Sequence, residues 1–269
     1  MSKTIGIISI KGGVGKTTIA SSLASDLVNH YNKKVLLVDA NYSAPNLGLH
    51  MDIVTPKKTI HHVLDRKAKI KSTVQNKFGV DVIPGEYIYN TSLNYLKLKD
   101  YLNKIKNDYD FVILDSSPSL NEEILSTIFA SDNLFVVTTP DYPTLSCSLK
   151  AAKLAKQRGK PISGIIINKV RDPSFEITLK EIEEASELPV VARIPDDKAA
   201  SRSLFMRIPV SIYNRRSGFS KEINKLNAAL TNTKEKRSFL KMLLPSNFHK
   251  EEINRQLMRR KFYLSRFKR

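Results

Sequence analysis

Three glycines within four positions, Gly12, Gly13 and Gly15, separate an apolar β-branched run ending at Ile10 from a helical run beginning at Lys16. Few folds have a use for such a junction. Glycine takes left-handed backbone angles without strain, so successive amide N–H groups can turn inward together and cradle an anion. The N-terminus of the following helix adds its own partial positive charge. In the string Ser9-Ile10-Lys11-Gly12-Gly13-Val14-Gly15-Lys16-Thr17-Thr18 the flanking residues suit phosphate groups in particular. Lys16 is placed to contact the β and γ phosphates of a nucleotide, and the Thr17 hydroxyl to coordinate magnesium. The bland alternative is a glycine-rich turn with an incidental Gly-Lys-Thr; the strand-loop-helix context favours a phosphate loop.

The rest of the chain reads as the sheet such a loop requires. Short apolar runs at 4–10, 34–39, 80–83, 111–115, 133–139, 162–168 and 190–194 predict strands. Longer runs at 16–30, 59–65, 93–106, 122–130, 143–158, 176–187 and 219–230 predict helices. This alternation predicts an α/β fold, a doubly wound, mostly parallel sheet with helices on both faces. Ligands in such sheets sit beyond the carboxyl ends of the strands, so chemistry is expected just after Ile10, Val38, Leu114 and Ile167. With 269 residues, 41% of them apolar, the chain can build one large core. One domain over residues 1–232 is therefore expected, followed by a basic helical C-terminal extension over 233–269.

Composition narrows the function. A single cysteine, Cys147, excludes an internal disulfide framework and argues against a cysteine-held zinc or iron-sulfur site within one chain. A cytoplasmic protein is expected, because no signal-peptide pattern opens the chain and no apolar run reaches the roughly 18 residues of a membrane span. His61 and His62 have no cysteine or carboxylate nearby at metal-ligand spacing, and we do not read them as ligands. The net charge of +18 points to an acidic partner, either nucleic acid or an anionic membrane face. Residues 234–269 hold 12 Lys or Arg against 3 Glu, a net +9 and half of the whole excess.

The additional lysine ahead of the paired glycines, Lys11, resembles the deviant phosphate loop of the ParA/MinD family of P-loop ATPases. The resemblance covers roughly residues 3–232. It implies ATP and Mg2+ as ligands, with Lys11, Gly12, Gly13, Val14, Gly15, Lys16, Thr17 and Thr18 around the phosphates. It also implies that Lys11 reaches across an ATP-bound homodimer to the partner's nucleotide. Val35 to Asp39 resembles the family's strand ending in the first switch carboxylate, and Phe111 to Ser119 the second. The magnesium set implied is then Thr17, Asp39 and Asp115, although a strand-end Asp is also a common turn cap. Asn168 matches the family's adenine-reading Asn, with turn formation as its alternative. Pro195 and Asp196 resemble the loop that closes over the base.

One departure bears on mechanism. The family's first switch usually reads Asp-x-Asp, its second Asp positioning the attacking water, whereas here the run is Asp39-Ala40-Asn41. Asn41 can orient water through its carbonyl oxygen but cannot accept a proton, so slow hydrolysis is expected, with Lys11, Lys16, Asp39 and Asn41 as the catalytic set. The run Asn168-Lys169-Val170-Arg171 lacks the Asp of a guanine-reading motif, which argues against a GTPase.

The C-terminal piece supplies the surface. Residues 234–244 resemble the short membrane-targeting helix that closes MinD proteins, with Phe239, Leu240, Met242, Leu243 and Leu244 on one face and Lys234, Arg237, Ser238 and Lys241 on the other. After Pro245 a second basic helix is expected, with Ile253, Leu257, Leu264 and Phe267 along a face interrupted by Arg260, to dock on the body, bind a partner or extend the anchor. The expectation is an ATP-dependent dimeric switch of MinD type, acting in spatial positioning at the cytoplasmic face of a membrane with an activator or cargo protein. The alternative is a ParA-type partition ATPase that binds DNA non-specifically; a metabolic ATP-dependent ligase on the same fold ranks behind both.

Overall fold

A computed structural model describes residues 2–172, 174–233 and 250–264. Its centre is one eight-stranded sheet in the order β3-β4-β2-β5-β1-β6-β7-β8. The strands are β1 (Lys3–Ile8), β2 (Val35–Ala40), β3 (Gln75–Lys77), β4 (Val80–Ile83), β5 (Phe111–Ser116), β6 (Asn133–Thr138), β7 (Ile162–Val170) and β8 (Val190–Pro195). All neighbours run parallel except β3 and β4. The sheet is doubly wound, as the alternation of apolar and helical runs implied.

The helices are α1 (Lys16–Tyr31), α2 (Leu47–His50), α3 (Ile60–Leu64), α4 (Leu98–Leu102), α5 (Glu122–Ala130), α6 (Tyr142–Gln157), α7 (Leu179–Ser186), α8 (Lys198–Met206), α9 (Val210–Tyr213), α10 (Gly218–Leu230) and a C-terminal helix, Lys250–Leu264. Strand side chains alternate between two buried layers. Ile5, Ile7, Leu37, Ile113, Phe135 and Val137 pack with Leu23 and Leu27 of α1 and Ile223 and Leu226 of α10. Leu36, Val38, Val112 and Leu114 pack on the opposite side with residues of α3 and α4, and Leu134 and Val136 with residues of α5, α6 and α7.

Several elements differ from the pattern-based expectation. The first strand stops at Ile8, which leaves Ser9 and Ile10 in the loop. The expected helix over 93–106 contracts to α4 between two 3-10 turns, Tyr95–Lys97 and Lys106–Asp108. The helix expected from residue 176 begins at Leu179, where Thr178 and Glu181 form a capping box. β3 was not anticipated; it pairs with β4 through a turn whose Phe78 and Gly79 both have positive φ.

The C-terminal helix is part of the body. Met258 and Phe262 are buried in the same cluster as α1 and α10, whereas Ile253 and Leu257 face outward. The helix lies along the edge strand β8, where Asn254 Nδ2 donates to the Val190 carbonyl at 2.8 Å and Arg255 Nη1 to that of Val191 at 3.1 Å. Lys250 pairs with Glu183, Tyr263 Oη donates to Leu230 O, and the Lys3 ammonium donates to Phe262 O. Of the three roles open to this second basic helix, it takes docking. Residues 234–244, read as a membrane-seeking helix, lie outside the described residues. Phe262→Ala is expected to cost about 3 kcal/mol of unfolding free energy, the usual loss for a buried Phe, measured by urea denaturation.

Candidate functional site

The phosphate loop leaves β1 and enters α1 in the geometry its glycines allow. Gly13 and Gly15 have φ of 76° and 94°. A Cβ at Gly12 or Gly13 would meet nothing within 4 Å, so their backbone borders open space into which a ligand can come. Gly15 has a different reason: a Cβ there would lie 2.3 Å from Asn168 Nδ2. That same amide donates to Val14 O at 2.8 Å, so Asn168, from the carboxyl end of β7, buttresses the loop from below. Thr18 sits half-buried in the first turn of α1.

The two lysines point to different places. Lys16 is buried, and its ammonium donates to Lys11 O at 3.2 Å. Burial pushes its pKa below the usual lysine value, with the nearby Asp115 opposing. An anion in the cradle would give this desolvated charge the partner it needs. Lys11 is exposed, and its charge helps to hold the Asp141 carboxyl below the usual carboxylate value.

Asp39 and Asp115 are register partners on the adjacent strands β2 and β5, and both are fully buried. Burial raises the Asp115 pKa to about 6, against the pull of the Thr17 hydrogen bond and of the Lys16 charge. Asp39 is pushed well up by burial and then by Asp115, although it accepts the backbone N–H groups of Asn41 at 3.1 Å and Leu47 at 3.1 Å. Asp39 therefore also does what a strand-end cap does, holding the loop that follows. Thr17 Oγ1 donates to Asp115 Oδ2 at 2.6 Å, while Asp115 Oδ1 is buried without a partner.

These groups fit magnesium. They offer hard oxygen donors, an orphaned carboxylate oxygen and two buried carboxylates whose repulsion a divalent cation relieves.

Asn41 lies in the loop after β2. Its Nδ2 donates to Ala44 O at 2.5 Å, and its Oδ1 is buried with no partner. At the end of β8, Asp196 accepts from Arg171 Nε at 2.6 Å, and its N–H donates to Val170 O. Pro195 lies where a Cβ on Gly218 would approach it to 2.7 Å. The structure thus gathers the loop, both carboxylates and Asn168 at the carboxyl ends of β1, β2, β5 and β7, with Pro195 closing β8 and Asp196 just after it.

Three neighbours escaped the sequence reading. Asn46 Oδ1 lies 3.0 Å from Thr17 Oγ1, Glu123 accepts backbone N–H groups from the Asn41 loop, and Tyr42 is buried beside Asn41. None carries a local signal. Glu123 reads as the first turn of an amphipathic helix, and its partners lie 80 and 81 residues away.

Comparison with known proteins places the chain in a family. Residues 2–157 match a family described as an AAA domain. An ATP-binding protein of Methanocaldococcus jannaschii is 32% identical over 231 residues, which span 82% of this chain and 85% of that protein. The crystal structure of the Pyrococcus furiosus cell division ATPase MinD superposes with a TM-score of 0.81 at 28% identity, over 86% of this chain and 99% of that one. The septum site-determining protein MinD of Pyrococcus horikoshii, complexed with Mg-ADP, gives 0.81 at 26% identity, over 91% of this chain and all (100%) of that one.

Proposed function

The chain belongs to the ParA/MinD family of P-loop ATPases, and from that premise we propose that it is a dimeric ATP switch with slow turnover, acting at an anionic membrane surface. The observation that carries the reading is the contrast between Lys16, buried against the phosphate loop, and Lys11, exposed at its rim. One lysine serves the chain's own nucleotide, and the other is free to serve the nucleotide of a second copy.

Within each copy, the backbone of residues 12–15 and the N-terminus of α1 bind the phosphates, and Lys16 neutralises them. Thr17 and Asp115 would hold magnesium, with Asp39 alongside; bound there, the ion neutralises charge on the phosphate oxygens. Asn168 and the Pro195-Asp196 loop border the base. The unpaired Oδ1 of Asn41 orients the attacking water without taking its proton, which keeps hydrolysis slow and lets the ATP state persist. The M. jannaschii relative binds ATP and the P. horikoshii structure holds Mg-ADP, and both ligands suit this site.

The surface reading rests on residues 234–244. Each buried apolar side chain there could contribute roughly 1.5 to 3 kcal/mol and each cation about 1 kcal/mol near anionic lipid, less the cost of ordering. One copy binds weakly; a dimer carries two, and the second binds at high effective concentration. Non-specific DNA is the second reading. It is favoured by residues 198–216, which carry five exposed Lys or Arg and no acid.

The two are separated by exchanging Leu243→Glu with Glu235→Leu, which keeps net charge and spoils the apolar face. Co-sedimentation with anionic liposomes, with ATP, is expected to fall to background, while DNA binding stays unchanged because phosphate contacts count charge. Retained liposome binding would reject the membrane reading, and ATP-dependent DNA binding by a parent protein that does not bind liposomes would favour the second.

A further inference from the structure

Tyr42 follows Asn41 directly, and each of its polar groups is held by a side chain outside the loop. Its backbone N–H donates to Glu123 Oε2 at 3.0 Å, and the Ser43 N–H donates to the same oxygen at 3.3 Å. Its carbonyl accepts from His61 Nε2 at 2.9 Å. His61 Nδ1 accepts the Glu86 N–H at 2.9 Å, so the ring proton lies on Nε2 and the imidazole is neutral, consistent with burial lowering its pKa. The Tyr42 hydroxyl shares a hydrogen bond with Ser126 Oγ at 2.9 Å. Its ring stacks on Tyr95 with centroids 4.7 Å apart, and His61 meets it edge-on at 5.9 Å.

Glu123 and Ser126 both belong to α5, the helix that directly follows the loop after Asp115. Asn121 caps this helix, its side chain accepting the Glu123 N–H at 2.9 Å. One short helix is therefore joined to both strand-end loops of the nucleotide site. A carboxylate that accepts two backbone amides makes charge-assisted bonds, roughly twice as strong as neutral ones. Against this grip, Asn41 itself is held by its N–H on Asp39 and its Nδ2 on Ala44.

We propose that Glu123 is a positioning residue for ATP hydrolysis. It fixes Tyr42, and through Tyr42 the setting of the Asn41 carbonyl, and it carries any displacement of the Asp115 loop to Asn41. The proposal rests on the reading of Asn41 as the residue that orients water. Glu123 has no bond to the phosphate loop or to α1, so its loss is read in turnover and not in ATP affinity.

The test uses the full chain with Glu123→Gln, Asn41→Ala and the double variant. For each, kcat at saturating Mg-ATP, Kd for a non-hydrolysable ATP analogue and the urea midpoint are measured. Misplacing a water-orienting group slows reaction steeply, so Glu123→Gln is expected to lower kcat about tenfold with Kd unchanged within about twofold. Because Glu123 acts through Asn41, the double variant is expected to be no slower than the slower single one. Losses that multiply in the double variant, or a Kd that weakens as much as kcat falls, would overturn the proposal. Normal kcat for Glu123→Gln beside a slow Asn41→Ala also rejects it and leaves the Asn41 reading standing. Normal kcat for Asn41→Ala rejects that reading and the proposal together. Should Glu123→Gln fail to fold, Tyr42→Phe removes only the bond to Ser126, and a smaller kcat loss with the same non-additivity is required.

Discussion

Lys16→Ala is expected to weaken ATP binding at least about 100-fold, since charge-assisted contacts to two phosphates are together worth roughly 3 kcal/mol. The buried ammonium has already been stripped of water, and in the free protein it leans on the Lys11 carbonyl. Its stabilisation of bound phosphate therefore carries little further desolvation cost. Titration calorimetry with Mg-ATP reads the loss, and an unchanged urea midpoint separates it from unfolding. Binding within about tenfold of the parent would mean that the loop amides alone hold the nucleotide and that the buried Lys16 ammonium contributes little.

Lys11→Ala is expected to leave ATP affinity nearly intact and to remove the ATP-dependent dimer. By two-fold symmetry each dimer would lose two lysine-phosphate contacts. At roughly 2 kcal/mol apiece, its dissociation constant rises about 1000-fold. Light scattering at a concentration where the parent is dimeric with ATP should show a monomer. A normal dimer would mean that Lys11 is a solvated loop cation and would remove the support for the exchange of lysines between copies.

The parts of this molecule legible in its sequence are those written locally. The phosphate loop is one contiguous string, and the strands β1, β2, β5 and β6 are short, mostly apolar runs, so pattern and motif place them together. α8 was invisible for a physical reason. Its core contacts are Ala199 and Ser203, whereas Leu204, Phe205 and Met206 face outward, so the apolar period that marks a packed helix is inverted. The C-terminal helix misleads in the same way. Its sequence advertises Ile253 and Leu257, yet it docks through Met258 and Phe262, with Asn254 and Arg255 spending their polar groups on the carbonyls of an edge strand. Asp39, Asp115 and Asn168 were proposed from motif, and the structure places all three at strand ends beside the phosphate loop. The further use of Asn168 as the prop beneath Gly15, like the grip of Glu123 on Tyr42, joins residues far apart in the chain and has no local trace.

The bond between the Lys3 ammonium and the Phe262 carbonyl spans 259 positions, and the same ammonium lies 3.4 Å from the centre of the Phe262 ring. Contacts of such separation are the last that a growing polypeptide can make. While the ribosome is still adding residues, β1 can find β5 and β6, but the ring that lies beneath Lys3 has yet to be synthesised. A nascent chain halted after α10 would present an open β8 edge, with the Val190 and Val191 carbonyls bare and the apolar surface beneath Met258 uncovered. That is the surface chaperones hold and that aggregates build upon. The helix over 250–264 thus acts as a seal on the β8 edge, and the body closes only once that helix is free to dock.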